Sequence, residues 1–294
     1  MTQNQSARRV VLVTGASTGI GLALVKKLLT LNYITVATAR ESSLKRFREA
    51  GLKENAHFLI RPLDITDSQD QKNLINEINE RLGGVDVLIN NAGISYRGTV
   101  EQTEMEDDNI QFETNYFGPM RLTRLVLPNM RKKRAGHILN ISSVSGLMAM
   151  PTMGNYSASK FALEGATESL WYEMRPWGIK VTLIQPGFVR SNAFEKVRLT
   201  QQSRRAISNE QDPYYLYYKN LSRFISSLMR ASRATPESIA KRIIKVITRS
   251  SPPLRLHVTP DAYVFYGLRR LLPRRIYHYL LYRSLPGIND WGKS

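Results

Sequence analysis

Short apolar runs and amphipathic stretches alternate along the first 190 residues, with two different periods. Val10-Val11-Leu12-Val13 is a four-residue apolar run ending just before Gly15, which predicts a strand buried on both faces. Residues 22–31 carry apolar positions at helical spacing, and 34–39 reads as the next strand. The alternation continues with strands at 57–61, 85–89, 136–141 and 180–184, and with helices at 69–82, about 106–131 and 156–174. Strands separated by helices pair in parallel through right-handed crossovers. The expected fold class is therefore α/β, a doubly wound parallel sheet with helices on both faces and a C-terminal helical extension. In such sheets ligands bind beyond the carboxyl ends of the strands.

The alternation stops after Pro186-Gly187. We expect a core over residues 8–190, a substrate lid over 191–235 and a basic amphipathic extension over 236–294. Thr235 before Pro236 reads as a helix N-cap. Further on, Tyr263, Val264, Phe265, Tyr266 and Leu268 interleave with Arg269 and Arg270, and Ile276, Tyr279 and Leu280 share a helical face after Pro273. Arg274, Arg275 and His278 lie off that face.

Charge separates the same regions. The formal charge is +18, and residues 196–294 hold 19 Lys or Arg against 5 Asp or Glu. A basic, aromatic-rich amphipathic stretch suits an anionic phospholipid surface, expected at 254–285, more than nucleic acid, which is not an expected partner. Packing on the core or a subunit contact would use the same apolar positions. The chain has no cysteine, so neither disulfides nor thiolate metal sites are available. The first residues lack a signal-peptide pattern, and no run of about 18 apolar residues occurs. The location expected is cytoplasmic, not secreted, with peripheral contact at the cytoplasmic membrane face.

Thr14-Gly15-Ala16-Ser17-Thr18-Gly19-Ile20-Gly21 joins the first strand to the first helix. Glycines there permit a tight turn and close approach to a diphosphate, which the helix N-terminus attracts. The same residues contain a literal G-x-S-x-G elbow, but it opens the chain and carries the extra Gly21, against a hydrolase. At the end of the second strand stands Arg40 instead of an acidic residue, which favours a ribose 2′-phosphate and hence NADP(H) over NAD(H). Downstream, Tyr156 and Lys160 are one helical turn apart, with Ser143 thirteen positions upstream. An ammonium beside a phenol would lower its pKa toward a value useful for proton exchange with an alcohol or ketone.

With these pieces in order, residues 8–195 resemble the short-chain dehydrogenase/reductase family. The glycine loop, Asn90-Asn91-Ala92-Gly93, Asn115-Tyr116-Phe117-Gly118, Ser142-Ser143, Tyr156-x-x-x-Lys160 and Pro186-Gly187 carry the resemblance. Residues 146–151 and 158–165 resemble the branch holding estradiol 17β-dehydrogenase type 1 and related retinol dehydrogenases. The resemblance implies a Rossmann-type dimeric oxidoreductase. Tyr156 would be its general acid/base, Ser143 would bind the substrate oxygen, and Lys160 would bind the nicotinamide ribose. Asn115 would hold a water of the proton relay. It also implies cofactor contacts from Gly15, Ser17, Thr18, Gly19, Ile20 and Gly21, from Asp64, Ile65, Asn91, Ala92 and Gly93, and from Pro186, Gly187, Val189 and Ser191. Ser191 stands where a threonine is usual. A non-catalytic dinucleotide sensor or scaffold of the same fold is the alternative.

For the substrate we expect a lipophilic alcohol, ketone or aldehyde of steroid, retinoid or fatty type. The candidate contacts are Tyr96, Ser143, Leu147, Met148, Met150, Met153, Phe188 and Phe194, with the tyrosines near 214–218. His137 is expected to pack or lie on the surface without a catalytic role.

Overall fold

The structure is a computed structural model describing residues 8–191 and 197–293. Among these the strands are β1 Arg9–Val13, β2 Tyr33–Ala39, β3 Phe58–Pro62, β4 Val87–Asn90, β5 Tyr96–Arg97, β6 Gly136–Ile141, β7 Ile179–Gln185, β8 Arg198–Leu199 and β9 Arg255–His257. The helices are α1 Gly19–Leu28, α2 Lys45–Glu49, α3 Ser68–Leu82, α4 Met105–Phe112, α5 Gly118–Lys133, α6 Gly154–Met174, α7 Gln201–Ser208, α8 Tyr215–Ala231, α9 Pro236–Ile247, α10 Pro260–Leu271 and α11 Arg274–Arg283. The main sheet is parallel in the order β3-β2-β1-β4-β6-β7-β9, while β5 and β8 pair separately.

Alternation within β1 explains the two layers. Val11 and Val13 face Leu24, Leu28, Ile243 and Ile247 of α1 and α9. Val10 and Leu12 face the opposite layer, with Leu74, Ile78, Leu122, Val126 and Leu170 of α3, α5 and α6. Both faces of the strand are thus dry, which is why its sequence reads as an unbroken apolar run. Strand order reverses between β1 and β4, which pair Val11 with Val87 and Val13 with Ile89. A crevice opens at the carboxyl ends of these two strands.

Two expectations change. The helix expected over 106–131 is α4 and α5 joined by a π turn at Glu113–Phe117. Gly118 follows that turn because a Cβ there would come 2.3 Å from the Ile65 carbonyl oxygen. The alternation also resumes after the insertion. Helix α9 packs on α1, and β9 pairs with β7 from Leu183↔Arg255 to Gln185↔His257. The first part of the segment expected as an appendage therefore completes the sheet. Its three residues, Arg255, Leu256 and His257, offer one aliphatic position and no readable period. The N-cap expectation holds, since Thr235 Oγ1 accepts the Ser238 N–H at 3.3 Å and Ser238 Oγ accepts the Thr235 N–H at 3.0 Å.

The described part of the expected lid is β8, α7 and α8. It is fixed by Tyr218, which is fully buried; its hydroxyl donates to Gln102 Oε1 at 2.8 Å and accepts the Thr99 N–H at 2.9 Å. Tyr217 stacks on Trp291 with centroids 4.1 Å apart. These tyrosines anchor the lid and do not line the crevice.

Candidate active site

The crevice encloses about 1130 Å³ and is lined from the glycine loop at one end to the lid at the other. Its floor is set by close backbone packing. Gly15, at φ 61°, lies so near β4 that a Cβ would come 2.7 Å from Ala92 Cα. Thr14 Oγ1 accepts the N–H groups of Asn91 and Ala92, both at 3.0 Å. Asn91 Nδ2 donates to the carbonyls of Thr14 and Gly15 at 2.9 and 3.0 Å. Asn91 therefore builds the loop with its side chain. Thr18 makes no side-chain cap on α1, so first-turn N–H groups of that helix remain for an anion.

Ser17, Thr18, Gly19, Ile20, Arg40, Asp64, Ile65, Ala92 and Gly93 line this end together. Asp64 Oδ1 accepts the N–H and the hydroxyl of Thr66. Arg46 and Lys26 also line the crevice near Arg40, and sequence reasoning did not single them out. The signal was available in the basic cluster Arg40, Lys45, Arg46 and Arg48 just past β2.

The π turn carries Asn115, whose side chain is fully buried. Its Oδ1 accepts the Ile94 N–H at 2.9 Å, and its Nδ2 donates to the Ile94 carbonyl and to Ser159 Oγ, both at 3.0 Å. Gly93 sits opposite, where a Cβ would be 3.3 Å from Asn115 Oδ1 and 3.7 Å from Lys160 Nζ.

Ser143 follows β6 in extended conformation, and Tyr156 and Lys160 project from the first turns of α6. Lys160 Nζ donates to the Ile141 carbonyl at 2.9 Å and lies 5.8 Å from the Tyr156 ring centroid. Burial raises the Tyr156 phenol above its ordinary value, and a side-chain hydrogen bond with Ser143 pulls the other way. The expected lowering by Lys160 is thus corrected, because desolvation of the phenolate dominates. Burial also brings Lys160 down to about 8, with the charge of Glu164 opposing the shift. Burial thus favours the protonated phenol beside Lys160.

Glu164, one turn beyond Lys160, is a buried residue beside the cluster that sequence reasoning did not single out. Its Oε1 accepts from Ser142 Oγ and Gln185 Nε2, each at 2.8 Å, and so ties α6 to β6 and β7. Gly146 is required beside it, because a Cβ would come 2.3 Å from the same oxygen.

Pro186, Gly187, Phe188, Val189 and Ser191 form the opposite wall. Thr259 Oγ1 accepts the Gly187 N–H and Asp261 Oδ2 accepts the Phe188 N–H, both at 2.8 Å. Of the substrate candidates, Ser143 and Phe188 line the crevice, whereas Tyr96, Leu147, Met148, Met150 and Met153 do not. Tyr96 is buried below Arg198, whose guanidinium donates to its hydroxyl at 3.2 Å. Leu147 and Met148 are buried. Phe194 lies outside the described residues. The lid contributes Val197, Arg198 and Met229 instead. His137 is buried in β6 with Nε2 3.0 Å from Thr182 Oγ1, and burial lowers it to about 3, so it packs as expected.

An α/β sheet with a glycine loop at its switch point and a Ser-Tyr-Lys cluster on the adjoining wall defines a nucleotide-binding oxidoreductase. The chain belongs to the short-chain dehydrogenase family, whose model matches residues 9–202. It is 32% identical to 3-ketodihydrosphingosine reductase of Bacteroides thetaiotaomicron, over 93% of this chain and 96% of the relative. It is 34% identical to retinol dehydrogenase 8 of Bos taurus, over 94% of this chain and 91% of the relative. Among solved structures, ElxO with NADP bound superposes with a TM-score of 0.70 at 27% identity, covering 87% of this chain and 99% of that one. A short chain dehydrogenase/reductase of Burkholderia phymatum in complex with NAD shares the fold, with a TM-score of 0.74 at 24% identity over 93% and 95% of the two chains. The protein is an oxidoreductase acting on CH–OH or C=O groups with a nicotinamide dinucleotide.

Proposed function

We propose that the chain uses NADP(H) to interconvert a lipophilic carbonyl compound and its alcohol, with Tyr156 as general acid/base. The observation that carries this reading is that Ser143, Tyr156 and Lys160 line one crevice together with the cationic Arg40 and Arg46 and the apolar Phe188, Val197 and Met229. The cofactor, when bound, supplies or accepts the hydride. Residues of the glycine loop and α1 hold its diphosphate, with Asp64 and Asn91 to Gly93 along the adenosine side. Lys160 holds the ribose, and Pro186 to Ser191 bracket the nicotinamide. Arg40 and Arg46 give a 2′-phosphate two guanidinium partners, which supports NADP(H) over NAD(H).

Tyr156 is held protonated by burial, which suits proton donation to a carbonyl oxygen that Ser143 positions. Ile94, Ile110, Phe188, Val197 and Met229 give the substrate end an apolar lining, which supports a steroid-, retinoid- or fatty-type compound. A homodimer through the helices around Asn115 and Tyr156 belongs to the same reading; Phe117 and Tyr172 are exposed there. A cytoplasmic location belongs to the same reading.

Tyr156→Phe is expected to lower carbonyl-dependent NADPH oxidation by at least ~10²-fold while the melting-temperature rise with NADPH persists. Equal turnover in this variant would remove Tyr156 from the chemistry. Absence of turnover by the unmodified protein on every carbonyl and alcohol tried, with NADPH binding intact, would favour a sensor or scaffold.

A further inference from the structure

Helices α10 and α11 carry apolar residues on the sides turned away from the protein. On α10, Ala262 is buried and Phe265 and Tyr266 are partly covered, fixing the inward side. Val264, Leu268 and Leu271 stand at i, i+4 and i+7 on the other side, and all three are exposed, Leu271 to 81%. On α11, Tyr277 is the buried anchor. Ile276, Tyr279 and Leu280, expected to share one face, do so, and that face is open to solvent, with Tyr279 63% exposed. A helix packed only against its own core would turn these residues inward.

The charge around this surface has one sign. Residues 262–289 contain five arginines, no lysine and no acidic residue. Arg269 is exposed, with its guanidinium 5.1 Å from the Phe161 ring centroid. Arg270, Arg274, Arg275 and Arg283 have no carboxylate partner among the described residues. No described helix is long and apolar enough to cross a membrane. Exposed aliphatic and aromatic side chains ringed by arginines without carboxylate partners match the boundary between phospholipid headgroups and acyl chains.

We propose that the outer faces of α10 and α11 dock this protein on an anionic phospholipid bilayer. Leu268, Leu271, Ile276 and Tyr279 enter the interface, and Arg270, Arg274, Arg275 and Arg283 meet the headgroups. The N-terminal end of α10 is bonded to the crevice wall through Thr259 and Asp261. One helix thus joins the bilayer contact to the wall of the active site. Delivery of substrate from the bilayer rests on the lipophilic-carbonyl reading; the docking itself does not.

Flotation of the full chain with phosphatidylcholine vesicles, with and without phosphatidylserine, tests the surface. Strong binding is expected only with phosphatidylserine, reduced at least tenfold by Arg274→Gln with Arg275→Gln and abolished by Leu268→Asp with Leu271→Asp. Both variants are expected to keep the NADPH-induced rise in melting temperature and turnover of a short water-soluble ketone, which shows that they fold. Failure of the unmodified protein to bind anionic vesicles overturns the proposal, as does equal binding by the Leu268→Asp, Leu271→Asp variant. A dimer-to-monomer change in that variant during sedimentation, with vesicle binding unaltered, assigns the face to a second copy instead. Loss of ketone turnover by the unmodified protein would count against the proposed reaction and leave the flotation result standing.

Discussion

Helices α9 and α10 begin with the same dipeptide, Thr-Pro, and each runs for 12 residues, yet they do opposite work. In α9 the Thr235 side chain caps its own helix and Ile239, Ala240, Ile243, Ile244, Val246 and Ile247 are buried. In α10 the Thr259 side chain makes no cap and bonds Gly187 instead, and Ala262 is the buried residue. The first helix is held by its apolar face. The second is held mainly at its start, by bonds to the crevice wall, and its apolar side is turned outward. A local start signal therefore fixes where a helix begins but not what it packs against.

The largest expected contrast is in stability. Ile243→Ala in α9 opens a cavity between α1 and the sheet and is expected to cost ~2–5 kcal/mol. Leu268→Ala in α10 removes an exposed side chain and is expected to change stability by less than ~0.5 kcal/mol. Urea melts of the two variants measure this directly. Similar losses would mean that the outer side of α10 is covered in solution, and the contrast between the helices would fail.

Next in size is the effect on the cofactor. Asp261→Ala removes the acceptor of the Phe188 N–H and loosens the wall that begins at Pro186. Losing a hydrogen bond to a charged acceptor is expected to raise the KM for NADPH roughly tenfold, with a smaller change in kcat. Thr235→Ala, the matching change at the start of α9, is expected to cost ~1 kcal/mol of stability and to leave that KM unchanged. An increase of KM by Thr235→Ala equal to that of Asp261→Ala would show that both helix starts serve the crevice.

The two ends of the chain also differ in how much of them is legible. From β1 through β7 most elements follow apolar runs and helical spacing, because β1, β4, β6 and β7 are buried almost throughout and each long helix buries one side; the two-residue β5 and the five-residue α2 are too short to carry a period. The π turn at Asn115 was invisible, since an extra residue in a helical turn leaves the composition unchanged and appears only as the close pass of Gly118 over Ile65. Strand β9 escaped because pairing with β7, not its own pattern, holds it in place. At the site, Ser143, Tyr156 and Lys160 were readable from spacing within and just before one helix. Leu147, Met150 and Met153 are nearer to Tyr156 in sequence than Ser143 is, yet the crevice is lined by Val197 and Met229 from the lid. Proximity along the chain after β6 does not survive the turns that precede α6. Glu164 was readable as a helical residue, but its hydrogen bonds reach Gln185 on β7 and Ser142 just past β6.

The smallest expected effect links α10 to the proton donor. The charge of Arg269 reaches Glu164, whose carboxyl burial raises; bonds from Gln185 and Ser142, together with Arg255 and Arg269, pull it back down. Glu164 in turn is the charged group that holds Lys160 up against burial. In Arg269→Ala, Glu164 retains its proton to higher pH and its negative field at Lys160 weakens. Lys160 then loses its proton more readily, below its present value of about 8. The alkaline limb of the pH–rate profile is expected to move to lower pH, and Glu164→Gln is expected to move it further in the same direction. Both effects should appear in kcat/KM with the midpoint of urea unfolding nearly unchanged for Arg269→Ala, because its aromatic contact is at the surface. Movement of the limb to higher pH would show that direct repulsion between Arg269 and Lys160 outweighs the path through Glu164. In that case α10 would touch the chemistry only through Thr259 and Asp261.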